Sequence, residues 1–168
     1  MKIDIEHAGL CLLHPFIPTY FDVLQLTERN NFKSDESKAR AIRLLDYMAS
    51  GDPNYRSAVP SLSHYLCGED LFLEGKNKTT LTPEEQAESE AVLNSVIEHW
   101  KALNQSGIDS LRALFLKRTG ILSIRNQSME LSMNVSVMDL LLNSLPWNKT
   151  LIHLPWLKEP ISVVWQQP

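Results

Sequence analysis

The spacing of apolar residues changes near Gly120, and that change limits the folds open to this chain. Upstream, apolar residues recur at the 3.6-residue period of helices; downstream they alternate with polar residues, as in half-buried strands. Helices followed by alternating strands define an α+β class: several packed helices with a small antiparallel sheet, a hairpin plus C-terminal strands, from the last third. No shift in composition and no internal repeat divides the sequence, so 1–168 is read as a single domain.

The upstream half carries its own punctuation. Residues 2–6 alternate like a short strand, and residues 8–13 are an apolar run. Pro15 suits the first position of a short helix with Phe16, Tyr20, Val23 and Leu24 on one face. Ser34 reads as an N-cap, with Asp35 and Glu36 near the positive end of the helix dipole. Ala41, Leu44, Leu45 and Met48 form that helix's buried stripe, and Gly51 before Asp-Pro stops it. Residues 60–67 read as a shorter helix with Leu62, Tyr65 and Leu66 inward and Gly68 as terminator. Residues 74–80, EGKNKTT, read as an exposed loop. Thr82-Pro83-Glu84-Glu85 is a capping box with Pro at the first helical position. Leu93, Val96, Ile97, Trp100 and Leu103 give its helix a buried face running to about residue 105. After Ser106-Gly107, Asp109 is expected to cap a helix with Leu111, Leu114 and Phe115 inward, closed by Gly120.

Downstream, residues 121–125 and 129–134 flank Asn126-Gln127-Ser128 as a hairpin, with Leu131, Met133 and Val135 on one face. Residues 137–145 return to helix, with Asp139 set among five aliphatic residues, and Pro146 ends it. Two extended segments follow, 150–154 and 161–165, bracketed by Pro and Trp.

Charge and length exclude several classes. Sixteen Lys and Arg against 20 Asp and Glu leave a net charge of −4, against the clustered cations a nucleic-acid binder needs. No apolar run reaches the ~20 residues of a membrane span. MKIDIEHAG is too charged for a signal peptide, so a cytoplasmic protein with reduced Cys11 and Cys67 is expected. The Asn-x-Ser/Thr triplets at Asn77, Asn104, Asn126, Asn134 and Asn148 then carry no glycan.

Catalytic signatures are scarce. His7, His14, His64, His99 and His153 include no i, i+4 pair, and neither Cys belongs to a CxxC. His64 and Cys67 could share a site, but two ligands do not make one, and burial explains both. Cys11 lies in an apolar run that suppresses thiolate formation. There is no GxSxG, phosphate loop or dinucleotide fingerprint. Glu84, Glu85, Glu88 and Glu90 suit a helix start, and Asp139 suits a local backbone hydrogen bond. No enzyme activity, metal or cofactor is expected. Trp147, Trp156 and Trp165 fall near the end of the sequence, two of them in Leu-Pro-Trp triplets. They read either as core filling at strand ends or as anchors for a partner.

Ala8-Gly9-Leu10-Cys11-Leu12-Leu13-His14-Pro15-Phe16-Ile17-Pro18, with Phe21 after it, resembles the opening motif of the tape-measure protein family of contractile injection systems, phage-tail-like particles of bacteria. The resemblance continues through Leu44-Leu45-Asp46-Tyr47-Met48-Ala49-Ser50-Gly51, Leu66-Cys67-Gly68 and Val96-Ile97-Glu98-His99-Trp100. It takes in Leu111-Arg112-Ala113-Leu114-Phe115-Leu116-Lys117-Arg118-Thr119-Gly120 and Asp139-Leu140-Leu141 leading to Leu145-Pro146-Trp147. Ile152-His153-Leu154-Pro155-Trp156 and Val163-Val164-Trp165 complete it. His7 stands where the motif leads one to expect Asn.

The resemblance implies a non-enzymatic structural component, with Gly9, Pro15, Phe16, Trp147, Pro155, Trp156 and Trp165 as structural or interaction residues. It implies tail-tube, spike or hub, or cap proteins as partners, and several copies in a three-fold or six-fold setting. Fully helical, 168 residues would reach only ~250 Å, and folded compactly ~30–50 Å. The expected role is therefore a lumen plug or an anchor at one end of the inner tube, rather than a ruler. The other expectations are an isolated domain of a longer tape-measure protein, which Met1 and the Trp-Gln-Gln-Pro end speak against, or an adaptor or chaperone for tail proteins or effectors.

Overall fold

A computed structural model describes residues 1–69, 72 and 75–166. The chain opens with β1 (Lys2–Ile5), a fully buried 3-10 segment (Ala8–Leu13) and α1 (Ile17–Val23). A small hairpin of β2 (Thr27–Glu28) and β3 (Asn31–Phe32) leads to α2 (Asp35–Ser50), α3 (Leu62–Leu66) and α4 (Pro83–His99). Next, α5 (Ile108–Leu111) runs into a π-helical turn (Arg112–Leu116). The last third holds β4 (Gly120–Arg125), β5 (Ser128–Met133), a 3-10 segment (Val137–Ser144), β6 (Leu151–Ile152) and β7 (Ile161–Trp165).

The class is α+β, with a five-stranded sheet ordered β1-β4-β5-β7-β6 beside the small hairpin. The sheet differs from the expected one in two respects. It recruits β1 from the start of the chain, antiparallel to β4. It is also mixed, because β7 runs parallel to β5. The 3-10 segment and β6 carry the chain back to the start of β5, so β7 enters in the same direction. The β4–β5 turn is tighter than expected: Arg125 pairs with Ser128, leaving Asn126 and Gln127 at φ 48° and 70°. That geometry is the two-residue loop whose twist matches its strands.

One sheet face meets the helices. Ile3, Leu122, Leu131 and Val163 line up across it, with Ile5, Gly120, Met133 and Trp165 in the next row. Tyr20, Phe21, Trp100 and Phe115 are the largest fully buried side chains opposite. The Gly9 backbone lies against the π-helical turn so closely that a Cβ there would stand 1.6 Å from the Phe115 carbonyl oxygen.

Local signals fix several helix ends. Ser34 Oγ accepts the Ser37 N–H at 3.1 Å, and Gly51 ends α2 at φ 75°. The buried Arg112 guanidinium donates to the Met48 and Tyr47 carbonyls, satisfying groups that a helix end leaves open. Both halves of the Thr82–Glu85 capping box are present, and Arg40 donates to Glu85 at 2.7 Å, tying α2 to α4.

Other boundaries move. Helix α1 starts at Ile17 rather than Pro15 and buries Ile17, Tyr20 and Phe21, while Val23 faces solvent. Helix α4 stops at His99 because Trp100 takes a non-helical backbone (φ −104°, ψ 88°) and its indole N–H donates to the Leu141 carbonyl. Leu103 is still buried, on a short 3-10 turn (Lys101–Leu103). Gly107, not Asp109, is the N-cap of α5; Leu114 faces outward and Leu116 takes the interior place, while Gly120 opens β4. Residues 75–80 form neither helix nor strand; Glu74 of the expected loop lies outside the described residues.

Candidate functional site

The opening motif and the first Leu-Pro-Trp triplet meet in space. Phe16 and Trp147 pack edge to face at 5.1 Å, and the Trp147 indole N–H donates to the Leu12 carbonyl at 2.8 Å. His14 Nε2 donates to the Asn148 carbonyl, and His99 stands edge-on to Phe16. Trp156 packs elsewhere, 5.4 Å from Phe21 and 5.2 Å from Phe32, and donates to the Leu66 carbonyl. Trp165 donates to the Lys149 carbonyl beneath the Arg118 guanidinium. All four tryptophans therefore spend their N–H on backbone carbonyls of distant segments, which fixes each ring and leaves only its apolar surface for further contacts. Pro15 and Pro155 are exposed beside these clusters.

Three depressions adjoin these residues. The largest, about 600 Å³, has Phe32, Tyr65 and Trp156 in its lining, with Ile124 and Met129 from the β4–β5 hairpin. Asp35, Glu69 and Glu159 also line it, as do Lys38 and Lys158. On the other side of Trp156, a depression of about 340 Å³ is bordered by Pro18, Asp22, Arg29 and Pro155. A third, about 320 Å³, lies between α1 and α4 and includes Pro15, Phe16, Val23 and Val92. Pro155 and Trp156 thus share one depression, and Pro15 and Phe16 another. Gly9, Trp147 and Trp165 line none of the three.

The clearest surface absent from the sequence reading is on the 3-10 segment Val137–Ser144. Its aliphatic composition suggests burial, yet Val137 is 85% and Leu140 75% exposed, and only Leu142 is buried. At three residues per turn, Val137 and Leu140 eclipse one another in a single outward row. The segment is pinned from behind. Asp139 accepts both Arg118 guanidinium nitrogens, at 2.5 and 3.1 Å, and also the Ser136 N–H. Arg118 donates as well to the Asn134 carbonyl. Asp139 is therefore a capping-box acceptor for a local backbone N–H, as its sequence reading had it, and also the ion-pair partner of Arg118, which that reading did not include.

A cluster of buried polar groups lies beneath the opening segment. His7 Nδ1 lies 3.0 Å from Asp46 Oδ1, and the Ser61 hydroxyl donates to the same oxygen at 2.7 Å. A carboxylate only accepts, so His7 Nδ1 carries the proton and cannot serve Ser61 as a base. Ser61 has no exposed surface. The trio is thus a satisfied polar hub joining β1, α2 and α3. His7 takes φ 55°, a left-handed conformation in which Asn, Asp and His are enriched, which accounts for His at an expected Asn position. Burial pushes the Cys11 thiol up to about 12 and raises Cys67 well above its ordinary value, so both are poor nucleophiles near neutrality. Among the described residues, no group of three or more His, Cys, Asp or Glu side chains could hold a metal ion.

A family model described as "Contractile injection system tape measure protein" matches residues 1–165. The chain belongs to that family. No curated protein and no solved structure matches it. Membership makes this tape measure protein a structural component of a contractile injection system. Among the described residues of this tape measure protein, no helix is long and apolar enough to cross a membrane.

Proposed function

We propose that this tape measure protein acts as a non-enzymatic plug or anchor at one end of the inner tube, within the lumen, against the spike or hub or the cap. The observation that carries this reading is the shape of its elements. The family match spans 165 residues, yet the longest helix among the described residues is α4, rising only about 25 Å over its 17 residues. The buried apolar residues gather in one cluster drawing on helices and sheet alike, which favours a single folded unit over 1–168 and suits a body that blocks or seats. Gly9, Pro15, Phe16, Trp147, Pro155, Trp156 and Trp165 belong to this reading as the residues that shape its surface. The partners are tail-tube and end proteins, with several copies in a three-fold or six-fold setting, assembled in the cytoplasm.

Electron microscopy of particles from cells lacking the protein tests the proposal. The expected result is a loss of particles, or particles with open or unseated tube ends that do not fire. Particles normal in number, length and firing would overturn it.

A further inference from the structure

The segment Val137–Ser144 is unusual for its length. All 8 residues are 3-10 helical, whereas the poorer hydrogen-bond geometry of that helix confines most runs to about three or four. Its residues do not require this conformation. Met138, Leu140, Leu141 and Leu142 are good α-helix formers, and no Gly or Pro interrupts them. The capping box of Ser136 and Asp139 starts α-helices as well. What holds the two ends therefore imposes the conformation.

At the upstream end, Arg118 grips both sides of a short connection. Its guanidinium donates to the Asn134 carbonyl and, at 2.5 and 3.1 Å, to the Asp139 carboxylate. Residues 134–136, between these two points, are neither helix nor strand. The Arg118 side chain is only 9% exposed and lies over the Trp165 ring, so its grip has little freedom. At the downstream end, the Leu142 side chain is buried. The Trp100 indole N–H donates to the Leu141 carbonyl, and the Lys149 ammonium to the Leu142 carbonyl. A rise of ~2.0 Å per residue makes this segment ~16 Å long, against ~12 Å for an α-helix of the same residues. It is held stretched by about 4 Å.

We infer that Val137–Ser144 is a two-state strap, 3-10 helical while Arg118 grips Asp139 and α-helical once that grip is released. Backbone hydrogen bonds are accounted for in both states. In the α form, the N–H groups of residues 140–144 pair with the carbonyls of residues 136–140. The Leu141 and Leu142 carbonyls then lie in the open last turn, where Trp100 and Lys149 already donate to them. The downstream anchors thus persist, and the contraction falls on residues 134–136, the stretch that Arg118 lets go. Side chains turn as well, because each residue advances ~100° rather than ~120° around the axis. Counted back from the anchored Leu142, Val137 swings by about 100° and Leu140 by about 40°. The outward row of these two side chains exists only in the clamped state. Whatever engages the row favours the 3-10 form, and loss of the ion pair favours the α form. An ionic contact at Arg118 thereby controls whether an aliphatic surface is presented. This device is independent of the plug or anchor reading.

Nuclear Overhauser contacts in the purified full-length chain test the inference. A 3-10 helix gives Hα to amide contacts from residue i to i+2, and an α-helix gives them from i to i+4. The wild-type chain should show the first pattern across 137–144. Asp139→Asn keeps the size of the side chain and removes the ion pair. It should lose the i to i+2 contacts and gain those to i+4, with the signals of the sheet unchanged. If Asp139→Asn fails to fold, Arg118→Lys replaces it, since a lysine keeps the charge without the two-pronged fork. That variant should show both patterns together. A wild-type segment that already gives the α pattern would overturn the inference. So would a folded test variant that keeps only the 3-10 pattern, or one in which residues 137–144 lose both.

Discussion

At the residue scale, the tryptophan placed deepest has the clearest consequence. Trp100 has no exposed surface, packs 4.8 Å from Phe115 and donates to Leu141. Trp100→Ala should cost about 3–5 kcal/mol, read from urea denaturation. Gly9→Ala adds a single carbon, yet places it on the Phe115 carbonyl, and only backbone movement relieves that overlap. Its melting temperature should fall by an amount matching at least the ~1–3 kcal/mol typical of overpacking. Histidines set a pH dependence. Burial lowers both His14 and His64 from the ordinary 6.5, so below that value the unfolded chain binds protons that the folded chain resists. Their stability is fully present above about pH 6.5 and is lost as pH falls through their depressed folded values. Thermal melts at pH 7.5 and 5.5 should show the drop, and His64→Gln should reduce it.

At the element scale, Arg118 decides whether the 3-10 segment Val137–Ser144 stays in place. Arg118→Met removes a largely buried partner from Asp139 and should cost about 3 kcal/mol. Hydrogen exchange should quicken in that segment before it quickens in the sheet. The same segment shows what sequence can and cannot disclose. Caps were legible because their chemistry is local: Ser34, and Thr82 with Glu85, each satisfy backbone groups three residues away. The β4–β5 hairpin was legible because alternation and a turn suffice. The exposed face of Val137 and Leu140 was not, because aliphatic composition carries no record of what lies opposite. The end of α4 was hidden for a related reason: a hydrogen bond from Trp100 to a residue 41 positions away draws it out of the helix. The candidate surfaces were half visible. Phe16, Trp147 and Trp156 could be read as aromatic motifs, but the cleft assembles from four separate segments whose meeting no local pattern encodes.

At the scale of the whole molecule, two pairings tie the ends of the chain together: β1 with β4, and β5 with β7 in parallel. Strand β1 is emphatically non-local. Ile5 pairs with Gly120, and Ile3 with Leu122, so the first strand made has no sheet to join until most of the chain exists. At about 5–20 residues per second, that is an interval on the order of ten seconds during synthesis. Throughout it, the apolar residues 8–13 have neither the π-helical turn nor the sheet against which they are finally buried. The growing chain is then exposed to wrong partners, and copies made close together on one message would meet in that condition. Lys2 and Asp4, exposed on either side of Ile3, put charge on that outermost strand, the arrangement by which proteins discourage edge-to-edge joining.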